Sequence, residues 1–174
     1  MISLNRTKAS NQLKLLTLTA VFSALIFIAT AYLPRLPFPG GYVHVGDAFL
    51  YLTASMLPAP YACAAGAIGA GLADALSGYM IYVPGTAVIK ALMALMFSHR
   101  QPTILSLRSG LAVIPAGIIC AGGYYLYEVI LTRSFAGAAA TVPFNLLQAL
   151  ASAIIYLAAA FILDRASVKA RLLR

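Results

Sequence analysis

The chain has 174 residues, of which 62% are hydrophobic and 9% are charged, and its formal net charge is +8. Soluble domains carry about 25% charged residues, so this composition excludes a protein whose whole surface faces water. It predicts one integral membrane domain, residues 1–174, of all-α class, whose apolar helix faces contact lipid.

The first apolar stretch, residues 12–33, is predicted to be a membrane-spanning helix. A signal peptide is the alternative, because the Ala-Thr-Ala sequence at 29–31 resembles a cleavage site. The apolar core from Leu15 to Leu33 has 19 residues, whereas the core of a signal peptide has about 7–15. We therefore expect a retained helix, followed by a proline- and glycine-rich loop, 34–45.

Five further apolar stretches follow, and they complete a predicted six-helix transmembrane bundle. Their expected bounds are 46–57, 60–78, 83–98, 107–131 and 141–163. The second and fourth of the six are too short to cross a core of about 30 Å squarely. They must continue into structured loops or lie buried among the other helices.

The positions of the basic residues predict the orientation. Nine of the twelve Lys and Arg residues lie on one side: Arg6, Lys8, Lys14, Arg100, Arg108, Arg165, Lys169, Arg171 and Arg174. An excess of basic residues is typical of cytoplasmic segments, so both termini are predicted to be cytoplasmic. This topology explains the net charge without nucleic-acid binding.

Polar side chains from five predicted helices fall at the same depth, in the outer third of the membrane. They are Asp47, Asp74, Lys90, Glu128, Asn145 and Gln148. Charged residues in membrane helices usually face a bundle interior or a wet cavity. We therefore expect one polar substrate pocket open to the outside, with loop 34–45, carrying Tyr42 and His44, as its lid.

Several of these residues have a structural alternative. Asp74 and Lys90 could pair and hold two helices together, and Asp47 could be a helix N-cap. His44 could be a packing residue.

Glu128, Asn145 and Gln148 have no evident structural partner in the sequence, which favours contact with a ligand. Tyr124 and Tyr125, close to Glu128 in sequence, could stack on a ring or anchor the helix at the membrane interface.

The predicted pocket has three carboxylates against one lysine, which favours a ligand that offers cations or N–H and O–H donors. The sequence has no GxxxxGK[ST], HExxH or GxSxG motif, and Cys63 and Cys120 lack metal-ligand spacing. No cofactor, bound metal or catalytic residue is therefore expected. A stand-alone membrane carrier or an intramembrane enzyme stays the alternative to a transport subunit.

Small residues line the remaining helix faces, among them the Ala20-x-x-x-Ala24 pair. Such faces allow close helix approach, either within the bundle or to another membrane subunit.

Three segments, GGYVHVGDAFLYL, LPAPYACAAGAIGAGLADALSGY and PGTAVIKALMA, resemble the S-components of energy-coupling factor (ECF) transporters, particularly the riboflavin-type branch. The resemblance covers about residues 12–165. It implies a six-helix protein of a bacterial or archaeal plasma membrane that captures a micronutrient outside the cell. A transmembrane coupling subunit and two cytoplasmic ATPases would drive uptake.

By the same resemblance, Ala20 and Ala24 would contact the coupling subunit, and Asn145 and Gln148 would contact the ligand. A corresponding ligand role for Lys90 and Glu128 is a further expectation. The candidate substrates are riboflavin, a pyridoxine- or hydroxymethylpyrimidine-like ring and a queuine-type deazapurine. The acidic pocket favours a donor-rich heterocycle over pantothenate or biotin.

Overall fold

The structure, a computed structural model, describes residues 2–38 and 41–173, with side chains from residue 9 onward. Pro39 and Gly40 of the predicted lid and Arg174 of the carboxyl tail lie outside the described residues, as do the side chains of Arg6 and Lys8. The elements are α1 (Ile2–Ala31), β1 (Leu36–Phe38), β2 (Gly41–Val43), α2 (Gly46–Met56), α3 (Ala59–Leu76), a 3₁₀ turn (Met80–Tyr82), α4 (Val83–Leu95), α5 (Leu107–Thr132), α6 (Phe135–Ala139), α7 (Val142–Arg165) and α8 (Val168–Leu172).

Helices α1, α2, α3, α4, α5 and α7 coincide with the six predicted apolar stretches to within a few residues, apart from the earlier start of α1. Local chemistry explains why several of these helices begin where they do. Proline lies in the first turn of α3, α4 and α7, where its missing N–H costs no helical hydrogen bond. Ser106 and Ser109 form a reciprocal capping box at the start of α5.

Three segments of the described chain are long and apolar enough to cross a membrane: Ala9–Ala31, Leu107–Thr132 and Phe135–Arg165. Their outer faces carry exposed aliphatic side chains such as Ile114, Ile118 and Ile154. This is the pattern of helices that face lipid. The all-α class is thus confirmed, while the number of spans and the location of the termini stay predictions.

The short helix α2 lies inside the bundle. It packs against α1, α3, α4 and α7, and ten of its eleven residues are buried. Eleven residues rise only about 16 Å, so α2 cannot by itself cross the hydrocarbon core. Its burial among longer helices is one of the two arrangements expected for a stretch of this length.

Helix α3 packs against both α1 and α4. Its small residues allow α1 to cross it at close distance. At Gly69 a Cβ atom would lie 2.5 Å from the backbone oxygen of Ser23 on α1. No larger residue fits there without moving α1 away from α3. The small-residue face of α3 therefore serves internal packing at this position.

Strands β1 and β2 form an antiparallel hairpin in which Leu36 pairs with Val43 and Pro37 with Tyr42. The sequence predicted only a loop here. The ring of Phe38 stacks on that of Phe144 in the first turn of α7, with 4.5 Å between centroids. The hairpin is thereby held over the end of the bundle at which α7 begins.

The opposite end of the bundle is closed by the last helix. The ammonium of Lys169 donates hydrogen bonds to the backbone oxygens of Ser55, Gln101 and Thr103, at 2.6, 2.7 and 3.3 Å. The Asp164 carboxylate accepts from the backbone N–H groups of Ile104 and Leu105. These contacts tie α7 and α8 to the end of α2 and to the loop before α5.

Candidate substrate-binding cavity

A cavity lies beneath the hairpin, where α3 and α5 end and α4 and α7 begin. Its wall combines aromatic rings with carboxylate, amide, hydroxyl and imidazole groups. The lining residues are Phe38, Gly41, Tyr42, His44, Asp74, Tyr79, Tyr82, Tyr124, Glu128, Thr141, Asn145 and Gln148. Seven of the residues singled out from the sequence, Tyr42, His44, Asp74, Tyr124, Glu128, Asn145 and Gln148, therefore meet at one place.

The hairpin is attached to the cavity wall through Tyr42. The Tyr42 hydroxyl donates a hydrogen bond of 3.0 Å to Oδ1 of Asp74 on α3. On the outer side, the guanidinium of Arg35 lies 4.9 Å from the centre of the Tyr42 ring and donates to Ser77. These contacts hold the hairpin closed over the cavity.

Asp74 forms no salt bridge with Lys90, so the structural alternative considered for this pair is wrong. The Thr86 hydroxyl, on α4, donates a 2.6 Å hydrogen bond to the second carboxylate oxygen of Asp74. Thr86 also lies 3.1 Å from the Tyr124 hydroxyl. Since the single proton of Thr86 goes to Asp74, Tyr124 is the donor to Thr86, and a chain of hydrogen bonds runs from α5 to α3.

Lys90 pairs instead with Asp47, at 2.7 Å, and both side chains are almost fully buried. Asp47 is not the N-cap of α2, because Val45 occupies that position and Asp47 lies inside the first turn. The ammonium also lies 5.2 Å from the centre of the Tyr124 ring. Lys90 and Asp47 therefore lie behind the wall of the cavity and do not line it.

Gln148 connects this ion pair to the lid. Its amide nitrogen donates to Asp47 at 2.9 Å, and its amide oxygen accepts from the backbone N–H of His44 at 3.3 Å. A carboxylate can only accept and an N–H can only donate, so the orientation of the amide is determined. Gln148 has the structural partners that the sequence did not reveal, and it fixes the lid backbone to α7.

His44 holds its ring in place through a local bond, since Nδ1 accepts from the backbone N–H of Gly46 at 3.1 Å. A nitrogen that accepts carries no proton, so this imidazole is neutral and its Nε2 carries the hydrogen. His44 therefore adds an N–H donor to the cavity and no charge.

Glu128 also has a partner that the sequence did not indicate. The hydroxyl of Tyr82, from the 3₁₀ turn, donates to its Oε1. The other oxygen, Oε2, accepts no hydrogen bond from the described residues. Asn145 is similar, because its amide nitrogen donates to the backbone oxygen of Thr141 at 3.2 Å and its Oδ1 has no donor in the described chain.

The aromatic part of the cavity was largely missed from the sequence. Tyr79 lies 5.1 Å from the ring of Tyr42 and 6.1 Å from that of Tyr82. Side chains three residues apart align in a 3₁₀ turn, so the spacing Tyr79-x-x-Tyr82 was the available signal. Tyr125, weighed together with Tyr124 in the sequence, does not line the cavity.

A second groove lies on the lateral face formed by α1 and α3. It contains Ala20 and Ala24, together with Thr19, Ser23, Phe27, Leu16, Ile68 and Leu72. Both alanines are exposed, so they are free to contact another helix. The groove is separate from the lidded cavity, with which it shares no lining residue.

Apolar helices, a polar and aromatic cavity, and a hairpin that covers it together define a membrane protein that binds a small molecule. A model of the family described as ECF-type riboflavin transporter, S component, matches residues 10–165. The chain belongs to this family, which confirms the resemblance seen in the sequence. It is therefore a transmembrane transport subunit of vitamin uptake. Searches of curated proteins and of solved structures found no match.

Proposed function

We propose that the protein is the substrate-capture subunit of an ATP-driven ECF importer for a vitamin-like or nucleobase-like heterocycle. The observation that carries this proposal is the lidded cavity. Its wall places a few polar groups among aromatic rings, which is the usual composition of a small-molecule site. Four tyrosines supply faces for a planar ring, and the polar groups between them supply orientation.

In this proposal the six helices α1–α5 and α7 form the transmembrane bundle of a bacterial or archaeal plasma membrane, with both termini cytoplasmic. The arrangement of α7 supports it. Its first turns line the cavity, and its last turn binds the loop before α5 through Asp164. The basic tail and the basic loop therefore lie at the end opposite the cavity, which opens outward.

The hairpin acts as the lid. It is held by the Tyr42–Asp74 hydrogen bond, by the His44–Gln148 bond and by the Phe38–Phe144 stack. Because these contacts are few, they can break and re-form as substrate enters. The helices beneath, in contrast, are packed through a continuous core. Opening at the hairpin thus admits substrate without rearranging the bundle.

The energy for uptake comes from partner proteins, a coupling subunit and two cytoplasmic ATPases. The groove at Ala20 and Ala24 is the proposed contact with the coupling subunit, because both small side chains are exposed on one face of α1. A helix of the partner can approach closely there.

Co-purification tests the proposal. The protein, expressed with its coupling subunit and ATPases, is expected to purify as a complex, and mass spectrometry of the purified protein is expected to reveal a retained heterocycle. Ala20→Leu with Ala24→Leu should abolish the complex but leave the retained molecule. Ala158→Leu, on the exposed face of α7, is the matched control. Uptake by the protein alone in liposomes would instead indicate a stand-alone carrier.

A further inference from the structure

The charges around the cavity are unbalanced. Asp74 and Glu128 both line it, whereas no lysine or arginine of the described chain does. Lys90 is the nearest buried cation, but its charge is matched by Asp47. Arg35 is exposed and lies on the outer side of Tyr42, where it donates to Ser77. The cavity therefore has two carboxylates without a cationic partner among the described residues.

The uncharged side chains around the cavity do not compensate the charges of these two carboxylates. His44 accepts a hydrogen bond at Nδ1 and is uncharged, and the Gln148 amide is occupied by Asp47 and the His44 backbone. Hydroxyl donors reach both oxygens of Asp74 but only one oxygen of Glu128. Glu128 is 6% exposed and lines the cavity, and its remaining oxygen has no donor among the described residues. A buried carboxylate in this state needs a positively charged partner.

A second acceptor lies in the same wall. Asn145 is 7% exposed, and its amide nitrogen is used by Thr141, which leaves the carbonyl oxygen Oδ1 for a donor. The rings of Tyr79, Tyr82 and Tyr124 complete this part of the cavity. Aromatic faces attract cations as well as planar rings. The free groups in this part of the cavity are thus acceptors and π-faces, while the Nε2–H of His44 is a donor elsewhere in the wall.

From these observations we infer that the substrate binds as a cation, a planar heterocycle with a protonated amine. This rests on the proposed substrate-capture function. The ammonium lies against Oε2 of Glu128 and Oδ1 of Asn145, and the ring lies among the tyrosines. An uncharged flavin ring would leave the Glu128 charge uncompensated, so it is the poorer ligand for this member of the family.

Matched ligand pairs that differ only in the charged group test this inference. The probes are pyridoxamine with pyridoxine, 7-aminomethyl- with 7-cyano-7-deazaguanine, and the aminomethyl with the hydroxymethyl form of 4-amino-2-methylpyrimidine, with riboflavin as the neutral reference. Binding is measured by calorimetry on the purified full chain in detergent. In at least one pair the ammonium member is expected to bind about ten- to a hundredfold more tightly, as for other close charge pairs.

Two substitutions should change this preference in opposite directions. Glu128→Gln keeps the shape and removes the charge, so the ratio of affinities within the pair should fall close to one. Asn145→Asp adds a carboxylate beside the same position and should raise the ratio. Thermal unfolding of each variant verifies that it is folded.

The inference is overturned if the neutral member or riboflavin binds as tightly as the ammonium member. It is equally overturned if no probe binds, or if Glu128→Gln leaves the ratio unchanged. None of these outcomes touches the importer proposal, which depends on the complex with the coupling subunit and on a retained heterocycle of either charge.

Discussion

Lys90 lies one helical turn beyond Thr86 on α4, and these two neighbours bind different carboxylates. Thr86 donates to Asp74 on α3, whereas the Lys90 ammonium lies 2.7 Å from Asp47 on α2. The ion pair thus joins the central short helix to α4, and Gln148 extends the connection to the lid. This polar contact adds to the apolar packing that holds α2 beneath the cavity.

Lys90→Met is therefore expected to destabilise the protein strongly. It leaves the Asp47 carboxylate buried with no counter-charge, at a cost of about 3–5 kcal/mol in the free energy of unfolding. The double variant Asp47→Leu with Lys90→Met removes both charges and should recover most of that loss. Unfolding of the two variants in the same detergent gives the comparison. Equal losses for single and double variants would show that the pair contributes by packing and not by charge.

Tyr42→Phe should weaken the closure of the lid while the bundle stays intact. The substitution removes only the hydroxyl that donates to Asp74, and a hydrogen bond to a charged group contributes about 1.5–3 kcal/mol. The molecule retained through purification should dissociate about tenfold faster or more.

The control for this variant is Tyr32→Phe, because Tyr32, directly after α1, is 73% exposed and does not line the cavity. Its dissociation rate should equal that of the unsubstituted protein. An unchanged rate for Tyr42→Phe would mean that the Tyr42–Asp74 hydrogen bond does not contribute to holding the hairpin closed.

The helices could be predicted from the sequence because apolar stretches of this length rarely form any other structure. The cavity could be predicted in outline from the depths of Asp74, Glu128 and Asn145 along their helices. The depth of a residue along its helix does not specify the direction in which its side chain points, however. Two carboxylates at similar depth, those of Asp47 and Asp74, were therefore both possible partners for Lys90. The choice of Asp47 follows from the burial of α2 within the bundle, which is a tertiary property.

The hairpin and the 3₁₀ turn were missed for a different reason. The pairing of Leu36–Phe38 with Gly41–Val43 is only three residues long on each side, and such short strands have no periodicity that a sequence can display. The same limit applies to Tyr82. Its hydroxyl reaches Glu128, 46 residues away, only because the turn lies beside the end of α5.

Gly69→Ala should separate α1 from α3. The added Cβ atom would lie 2.5 Å from the Ser23 backbone oxygen, and backbone cannot move aside as a flexible side chain can. Overpacking of this kind costs about 1–3 kcal/mol. Unfolding in detergent should show the loss.

Gly122→Ala is the matched control for Gly69→Ala, because Gly122 also lies inside a helix but has open space around its Cβ position. That variant should be stabilised by about 0.5–1 kcal/mol through helix propensity. Equal effects at the two glycines would contradict the close crossing of α1 and α3.

His99 makes stability depend on pH at the end of the bundle opposite the cavity. Burial, with the positive charges of Lys169 and Arg100 nearby, lowers the pKa of His99 from its usual value of 6.5. The unfolded chain therefore binds more protons than the folded chain once the pH falls below about 6.5. The contribution of His99 to stability is full above that pH and declines as the pH falls towards the lower folded-state pKa.

His99→Gln should make the acid-side decline smaller, since glutamine does not titrate. The melting temperature, followed from pH 7.5 to pH 5, should fall less in the variant than in the unsubstituted protein. Arg100→Gln removes one of the two nearby positive charges and should give an intermediate slope. Parallel curves for the unsubstituted protein and His99→Gln would show that protonation of His99 does not oppose folding.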